Sequence, residues 1–248
     1  MDSMITDLPG VVAYLDDIIV TGKTKDEHWE NLQNLLQRLS DYGFSVKESK
    51  CELFKTSVEY LGHVIDEKGK HPSSSAIDAI KQLKKPENVQ EVQAFLGKIN
   101  YYGKFIENLA EKANPLYALL KKMAKFEWTE DCQAAFENLK EDIISATKLS
   151  HYDETKQLIL ATDASQRGIG AVLLQMQNDE ERPIAHASKT LSPAQQRYSQ
   201  IEREALAIIF GVKKFHQYLY GRKFTLITDH KLLVSIFHQT RTCQPLRS

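Results

Sequence analysis

The sequence predicts an α/β (α+β) fold, and three observations carry that prediction. Near the N-terminus, apolar and β-branched runs flank an acid pair in Val11-Val12-Ala13-Tyr14-Leu15-Asp16-Asp17-Ile18-Ile19-Val20. From Ala76 to Met123 the apolar residues recur instead at helical spacing. Beyond His151 three short strand-like runs precede a long helical run and one further strand, the order of a mixed sheet covered by helices.

Residues 11–21 read as a hairpin with Asp16 and Asp17 at its tip. Asp26 to Asp41 follows as an amphipathic helix, because Trp29, Leu32, Leu35, Leu36 and Leu39 recur at three- and four-residue steps, and Gly43 stops it. Phe44–Val46 and Val58–Ile65 read as strands, the second interrupted by Gly62. Helices then carry the stripes Ile77/Ile80/Leu83 and Val89/Val92/Phe95/Leu96/Ile99, with Pro86 and Pro115 as separators. Thr129 caps a helix running to Ser145, with Cys132, Phe136, Leu139 and Ile143 inward. Strands are expected at Leu158–Thr162, Gly170–Gln175, Pro183–Ser188 and Phe224–Thr228. Helices are expected at Pro193–Tyr218 and Lys231–Phe237. The first three of these strands suit an antiparallel meander.

A chain of 248 residues with 42% hydrophobic content supports one large or two ordinary domains. Its formal net charge of −1 does not announce a nucleic-acid binder. Cys51, Cys132 and Cys243 are far apart and form no C-x-x-C pair, which fits a reducing compartment and neither a disulfide framework nor a zinc site. No signal peptide is visible, and no apolar run approaches the roughly 20 residues that span a bilayer. These features predict a soluble intracellular chain with no membrane partner.

The candidate chemistry lies in carboxylates. Hard cations such as Mg²⁺ prefer oxygen ligands, and a hairpin tip offering Asp16 and Asp17 supplies them. Two later runs, Leu158-Ile159-Leu160-Ala161-Thr162-Asp163 and Phe224-Thr225-Leu226-Ile227-Thr228-Asp229, each close an apolar strand with Thr-Asp. A charge at the end of a buried strand is costly unless paired or bound to a cation. The intervening helix offers Glu202 and Glu204, which point about 200° apart. Glu204 precedes the apolar stripe and suits the inward side; Glu202 suits the surface. Three such acids make a site for divalent metal and phosphoryl transfer. Residues 81–125 hold nine lysines against four glutamates, and Tyr101, Tyr102 and Phe105 interleave with Lys98 and Lys104. On charge alone these lysines read as a solvated helical face; the other reading is a phosphate-tracking surface with aromatic platforms.

Taken in order, the blocks Val12-Ala13-Tyr14-Leu15-Asp16-Asp17-Ile18, Tyr60-Leu61-Gly62-His63, Phe95-Leu96-Gly97, Asn100-Tyr101-Tyr102, Thr162-Asp163-Ala164-Ser165, Pro183-Ile184-Ala185, Tyr218-Leu219-Tyr220-Gly221 and Thr228-Asp229-His230-Lys231 make the chain resemble the Pol polyprotein of gypsy-like LTR retrotransposons. The resemblance covers nearly the whole chain. It implies a C-terminal half of a reverse-transcriptase palm over 1–70, a thumb-like helical segment over 71–149 and a ribonuclease H-like mixed sheet with helices over 150–248. It also implies Mg²⁺, with Mn²⁺ as a substitute, on Asp16 and Asp17 for polymerisation and on Asp163, Glu204 and Asp229 for RNA cleavage. RNA template, DNA primer and RNA–DNA hybrid would be the partners, with dNTP bound only by the full-length enzyme. Tyr14, Lys98, Tyr101, Tyr102 and Lys104 would touch nucleic acid, and Tyr60-Leu61-Gly62-His63 would position the primer end. The location implied is a cytoplasmic retroelement particle or the nucleus. The family's third polymerase aspartate is expected before Met1 and a last nuclease ligand beyond Ser248; Leu232 stands where the family usually has proline. The alternative reading is a catalytically inactive retroelement-derived remnant that at most binds nucleic acid.

Overall fold

The computed structural model describes residues 2–121, 125–230, 233 and 243–244. The chain divides into two compact units, Met1–Thr56 and Ser57–Ser248.

In the first unit, α1 (Asp2–Ile5) precedes an antiparallel hairpin of β1 (Val11–Tyr14) and β2 (Asp17–Val20). Tyr14 pairs with Asp17, so Leu15 and Asp16 alone make the turn, and Leu15 takes a positive φ of 54°. A non-glycine residue in this region is strained, a state that persists only where its surroundings hold it. The helix α2 (Lys25–Asp41) starts where the Thr24 hydroxyl accepts from the Glu27 N–H. Its buried side is Asn31, Leu32, Leu35 and Leu39, and Leu35 and Leu39 pack with Met4, Ile5 and Val11. Trp29 and Leu36, expected on that stripe, are exposed. Trp29 instead stacks on Phe54, with ring centroids 5.8 Å apart. The strand expected at Phe44–Val46 does not form: among the described residues no strand pairs with it, so its backbone joins no ladder.

The second unit opens with a three-stranded antiparallel sheet of β3 (Ser57–Tyr60), β4 (His63–Asp66) and β5 (Gly69–Pro72). Leu61 and Gly62, both at positive φ, turn the chain between β3 and β4, so the run expected as one interrupted strand is a hairpin. Five helices follow: α3 (Ser74–Lys81), α4 (Val89–Tyr101), α5 (Leu109–Lys112), α6 (Asn114–Ala118) and α7 (Glu130–Ile144). Pro115 lies in the first turn of α6, where its missing N–H is harmless. One apolar cluster joins these helices, with Val92, Ile99, Leu116, Phe136 and Leu139 fully inside it. The strand β5 is tied to the far end of this segment by paired backbone bonds between Lys70 and Leu149.

A mixed sheet in the order β10-β9-β6-β7-β8 completes the unit. Its strands are β6 (Leu158–Ala164), β7 (Gly168–Gln177), β8 (Glu180–Thr190), β9 (Phe224–Ile227) and β10 (Cys243–Gln244). The β6–β7–β8 meander is antiparallel, as the sequence predicts, and its strands run longer than expected; β9 lies parallel to β6. The helix α8 (Gln200–Lys214) crosses this sheet at Gly211, where a Cβ would stand 3.1–3.2 Å from Ala171, Leu160 and Thr162. The expected helix start at Pro193 is a single 3-10 turn, Gln195–Arg197, and α8 itself begins after Ser199. A short α9 (His216–Leu219) ends the helical stretch. Apart from Leu233, the helix expected at Lys231–Phe237 lies outside the described residues, as does Leu232. Among the described residues no helix is long and apolar enough to cross a membrane.

Candidate metal centre and nucleic-acid surface

Three elements bring three acids together. In the parallel pairing of β6 with β9, Ala161 lies beside Ile227, so the two Thr-Asp ends run out of the sheet at the same level. Asp163 is the sixth residue of β6, and Asp229 follows the end of β9. From α8, Glu204 reaches the same point. One carboxylate oxygen from each lies within 4.8 Å of the others.

Glu204 is completely buried, and its Oε2 has no hydrogen-bond partner. Its Oε1 accepts from the Gln200 amide at 2.7 Å, and the same amide nitrogen donates to the Ala164 carbonyl at 2.9 Å. The Gln200 oxygen in turn accepts from Arg203. Burial, and then the charge of Asp229, raise the Glu204 carboxyl to about 7. Burial raises Asp163 too, opposed by the Ala164 N–H that donates to its Oδ1 at 2.8 Å and reinforced by Asp229, Glu111 and Glu107. An acid cluster with one buried, unpartnered oxygen is short of positive charge, and a divalent cation with oxygen preference fits this donor set. Glu202 stands apart from the cluster. The backbone N–H and hydroxyl of Ser199 both donate to its Oε2 at 2.8 Å, which fixes the first turn of α8.

Sequence reasoning missed Gln200, although its spacing four residues before Glu204 on one helix was available. It also missed Glu111 and Asn108, which line a small cleft with Asp163 and Gly170. Nothing local to residues 107–111 signals that approach, which is a product of tertiary packing.

At the hairpin tip, Asp16 and Asp17 are exposed, as is Tyr14. Among the described residues no third acid or histidine joins them in a ligand group.

The basic segment divides. Lys98 and Tyr101 are exposed, and Gly97 has open space where a Cβ would stand. The Tyr101 hydroxyl donates to the Leu61 carbonyl at 2.6 Å, and its ring stacks parallel on His63 at 5.3 Å. Tyr102, expected as a second platform, is 8% exposed; it packs edge-on against His63 and donates to the Gly62 carbonyl, so it braces the turn rather than offering a face to a base. Lys104 is half-buried beside Phe105.

The chain is similar to known proteins. Residues 128–226 match the family described as RNase H-like domain found in reverse transcriptase, and residues 1–65 match reverse transcriptase (RNA-dependent DNA polymerase). The Transposon Tf2-3 and Tf2-7 polyproteins of Schizosaccharomyces pombe are each 37% identical over 227 residues, which is 90% of this chain and 17% of theirs. The foamy viral protease-reverse transcriptase dRH in complex with ds DNA superimposes with a TM-score of 0.83 at 20% identity, over 100% of this chain and 48% of that one. The foamy viral protease-reverse transcriptase in complex with RNA/DNA hybrid gives 0.78 at 23% identity, over 96% of this chain and 33% of that one.

Proposed function

Because the chain belongs to the reverse-transcriptase and ribonuclease H family of gypsy-type LTR retrotransposon polyproteins, we propose that its second unit cleaves the RNA strand of an RNA–DNA hybrid with divalent metal. The observation that carries this reading is the meeting of Asp163, Glu204 and Asp229 with one buried, unpartnered oxygen. These three would hold Mg²⁺, or Mn²⁺ in its place. When bound, such an ion lowers the pKa of water and stabilises the charge that develops on a phosphate. The chain's own part is orientation. Gln200, itself set by Arg203, fixes one oxygen of Glu204 and leaves the other for the cation; the Ala164 N–H fixes Asp163.

Lys98 and Tyr101 would contact the duplex, the lysine as a point charge for phosphate and the tyrosine as a ring for a base or sugar. Asp16 and Asp17, with Tyr14 beside them, would hold Mg²⁺ for primer extension by dNTP on an RNA template in the full-length family enzyme.

The test is cleavage of a labelled RNA strand, free and in hybrid, with Mg²⁺ and with Mn²⁺. Hybrid should be cut and free RNA spared, faster with Mn²⁺, which binds mixed oxygen sites more tightly. Asp163→Asn should abolish cleavage, and Glu204→Gln should cost far more than Glu202→Gln. Equal loss from both glutamate changes, or equal cutting of free RNA, would overturn the assignment.

A further inference from the structure

The acid cluster has a second wall. Through Gly211, α8 lies against Leu160, Thr162 and Ala171, which share one face of the mixed sheet. Asp163, Gly170 and Ser188 stand side by side across β6, β7 and β8, one residue along, so their Cβ positions lie on the other face. The start of α5 packs there: the Ala110 N–H donates to the Ser188 hydroxyl oxygen at 2.8 Å. A Cβ on Gly170 would stand 2.3 Å from the Asn108 Oδ1, so only glycine admits this approach, and one on Gly168 would stand 4.0 Å from the Glu111 Cβ. Asn108 takes a φ of 52°, a left-handed conformation that asparagine tolerates. What remains is a cleft of about 10 Å³, room for one water or one small cation, lined by Asp163, Glu111, Asn108, Ser165 and Ser188 among others.

The oxygens that line this cleft have no positive charge to answer them. Among the described residues neither Asp163 nor Glu111 makes an ion pair, and the Asn108 amide makes no hydrogen bond. Lys112, the neighbour of Glu111, is taken by Asp142 at 2.7 Å. Independently, the completely buried Glu204 keeps its Oε2 unpartnered in the cluster that Asp163 shares. We propose that Glu111 and Asn108 complete a second divalent-cation position beside Asp163. Asp163 then bridges two ions, one held with Glu204 and Asp229 and one held from α5. This position rests on the ribonuclease reading given above and supplies it with a ligand from an unexpected element, since Glu111 lies outside residues 128–226, which match the ribonuclease H-like family. Charge favours the pair: three carboxylates exceed one divalent ion by a negative charge, and a fourth balances two ions. Carboxylate and amide oxygens suit Mg²⁺ and Mn²⁺, and two ions sharing a carboxylate are an arrangement that phosphoryl transfer uses.

The full chain tests this with Mn²⁺ alone as the probe, by calorimetry and electron paramagnetic resonance. Two Mn²⁺ ions roughly 4 Å apart on a shared carboxylate couple magnetically, whereas an ion held singly, at the hairpin or elsewhere, gives an uncoupled spectrum. At saturation the parent should show the coupled spectrum. Glu111→Gln should bind one ion fewer and lose the coupling while keeping the ion at Glu204 and Asp229. Asn108→Gly keeps the left-handed backbone without strain and removes the amide, so it should weaken the second ion only. Glu111 is exposed, so in chelator Glu111→Gln should melt no lower than the parent, which separates a lost ion from a lost fold. With Mg²⁺, cleavage of RNA–DNA hybrid by Glu111→Gln should fall about tenfold or more, the scale on which lost support for a bound metal costs activity. An uncoupled spectrum in the saturated parent, or a coupling that survives Glu111→Gln, would overturn the second position. Hybrid cleavage at the parental rate by Glu111→Gln would overturn its part in the reaction and leave the ribonuclease reading intact. A coupled pair that Glu111→Gln abolishes, in a chain that cuts no hybrid, would uphold the cation pair and overturn the ribonuclease reading instead.

Discussion

Glu202 and Glu204 are the same residue type two positions apart, and helical geometry sends them to opposite roles. Glu202 is exposed, and its hydrogen bonds from Ser199 lower its pKa. Glu204 is raised to about 7 from an ordinary 4.5, so the folded chain holds that proton more tightly than the unfolded chain does. The stability this contributes is fully present below about pH 4.5 and is lost as pH rises through about 7. In chelator, unfolding at about pH 5 and about pH 8 should therefore show a loss at the higher pH. Glu204→Gln should reduce that loss, and Mg²⁺ at about pH 8 should restore the parent but not the variant. A variant with the parental pH profile would mean that another group titrates. Gln200→Leu tests the brace: a hydrogen bond to a charged group contributes about 1.5–3 kcal/mol, so Mn²⁺ affinity measured by calorimetry should fall roughly tenfold or more. An unchanged affinity would make Gln200 a helix-surface residue and nothing else. Asp163 and Asp229 were legible in the sequence because each closes an apolar strand run where a charge needs a reason, and Glu204 because it precedes an apolar helical stripe. The brace was not, because a glutamine in the first turn of a helix has many ordinary uses.

At the scale of elements, the meander of β6, β7 and β8 and the helix α7 were legible because periodicity and caps agree: Thr129 accepts from the Cys132 N–H, and four inward residues follow at helical steps. Phe44–Val46 misled because apolar residues suggest a strand without supplying a partner. Trp29 misled because helical spacing marks a face without saying what covers it. The placement of α8 rests on one small residue. Gly211 lets the helix lie against Leu160, Thr162 and Ala171, and this contact sets how far Glu204 reaches toward β6. Gly211→Val should cost about 1–3 kcal/mol by overpacking. It should also weaken metal binding, although residue 211 touches none of the acids. Loss of stability with parental metal affinity would separate helix placement from the site. Gly69 plays a comparable part for β5: its φ is +138°, and a Cβ there would meet the Leu149 carbonyl at 2.1 Å. Gly69→Ala should destabilise the second unit, read as a lowered melting temperature.

The whole molecule is two units of unequal burial. Among the described residues sixteen large apolar side chains are exposed, and ten of them lie before Thr56, including Val12, Leu15, Phe44 and Phe54. The buried core of the first unit that they adjoin is small: Met4, Ile5, Val11, Leu35 and Leu39. The second unit buries two large clusters, one in the helices and one around the mixed sheet. Hydrophobic burial drives folding roughly in proportion to apolar area removed from water, so the first unit should be the weaker. The chain carries its own reporters, since its two tryptophans fall one to each unit. Trp29 stacks on Phe54 in the first; Trp128 packs against Phe136 and donates to Gln133 in the second. In urea, Trp128→Phe leaves Trp29 to report the first unit, and Trp29→Phe leaves Trp128 to report the second. The Trp29 transition should come at lower urea and with a shallower slope, because the slope follows the surface exposed on unfolding. Mg²⁺ should move only the Trp128 transition, since a ligand stabilises the unit that binds it by mass action, and the acids brought together all lie in the second. Coincident midpoints, both shifted by Mg²⁺, would mean that the two units unfold as one and that the metal site is coupled to the hairpin carrying Asp16 and Asp17.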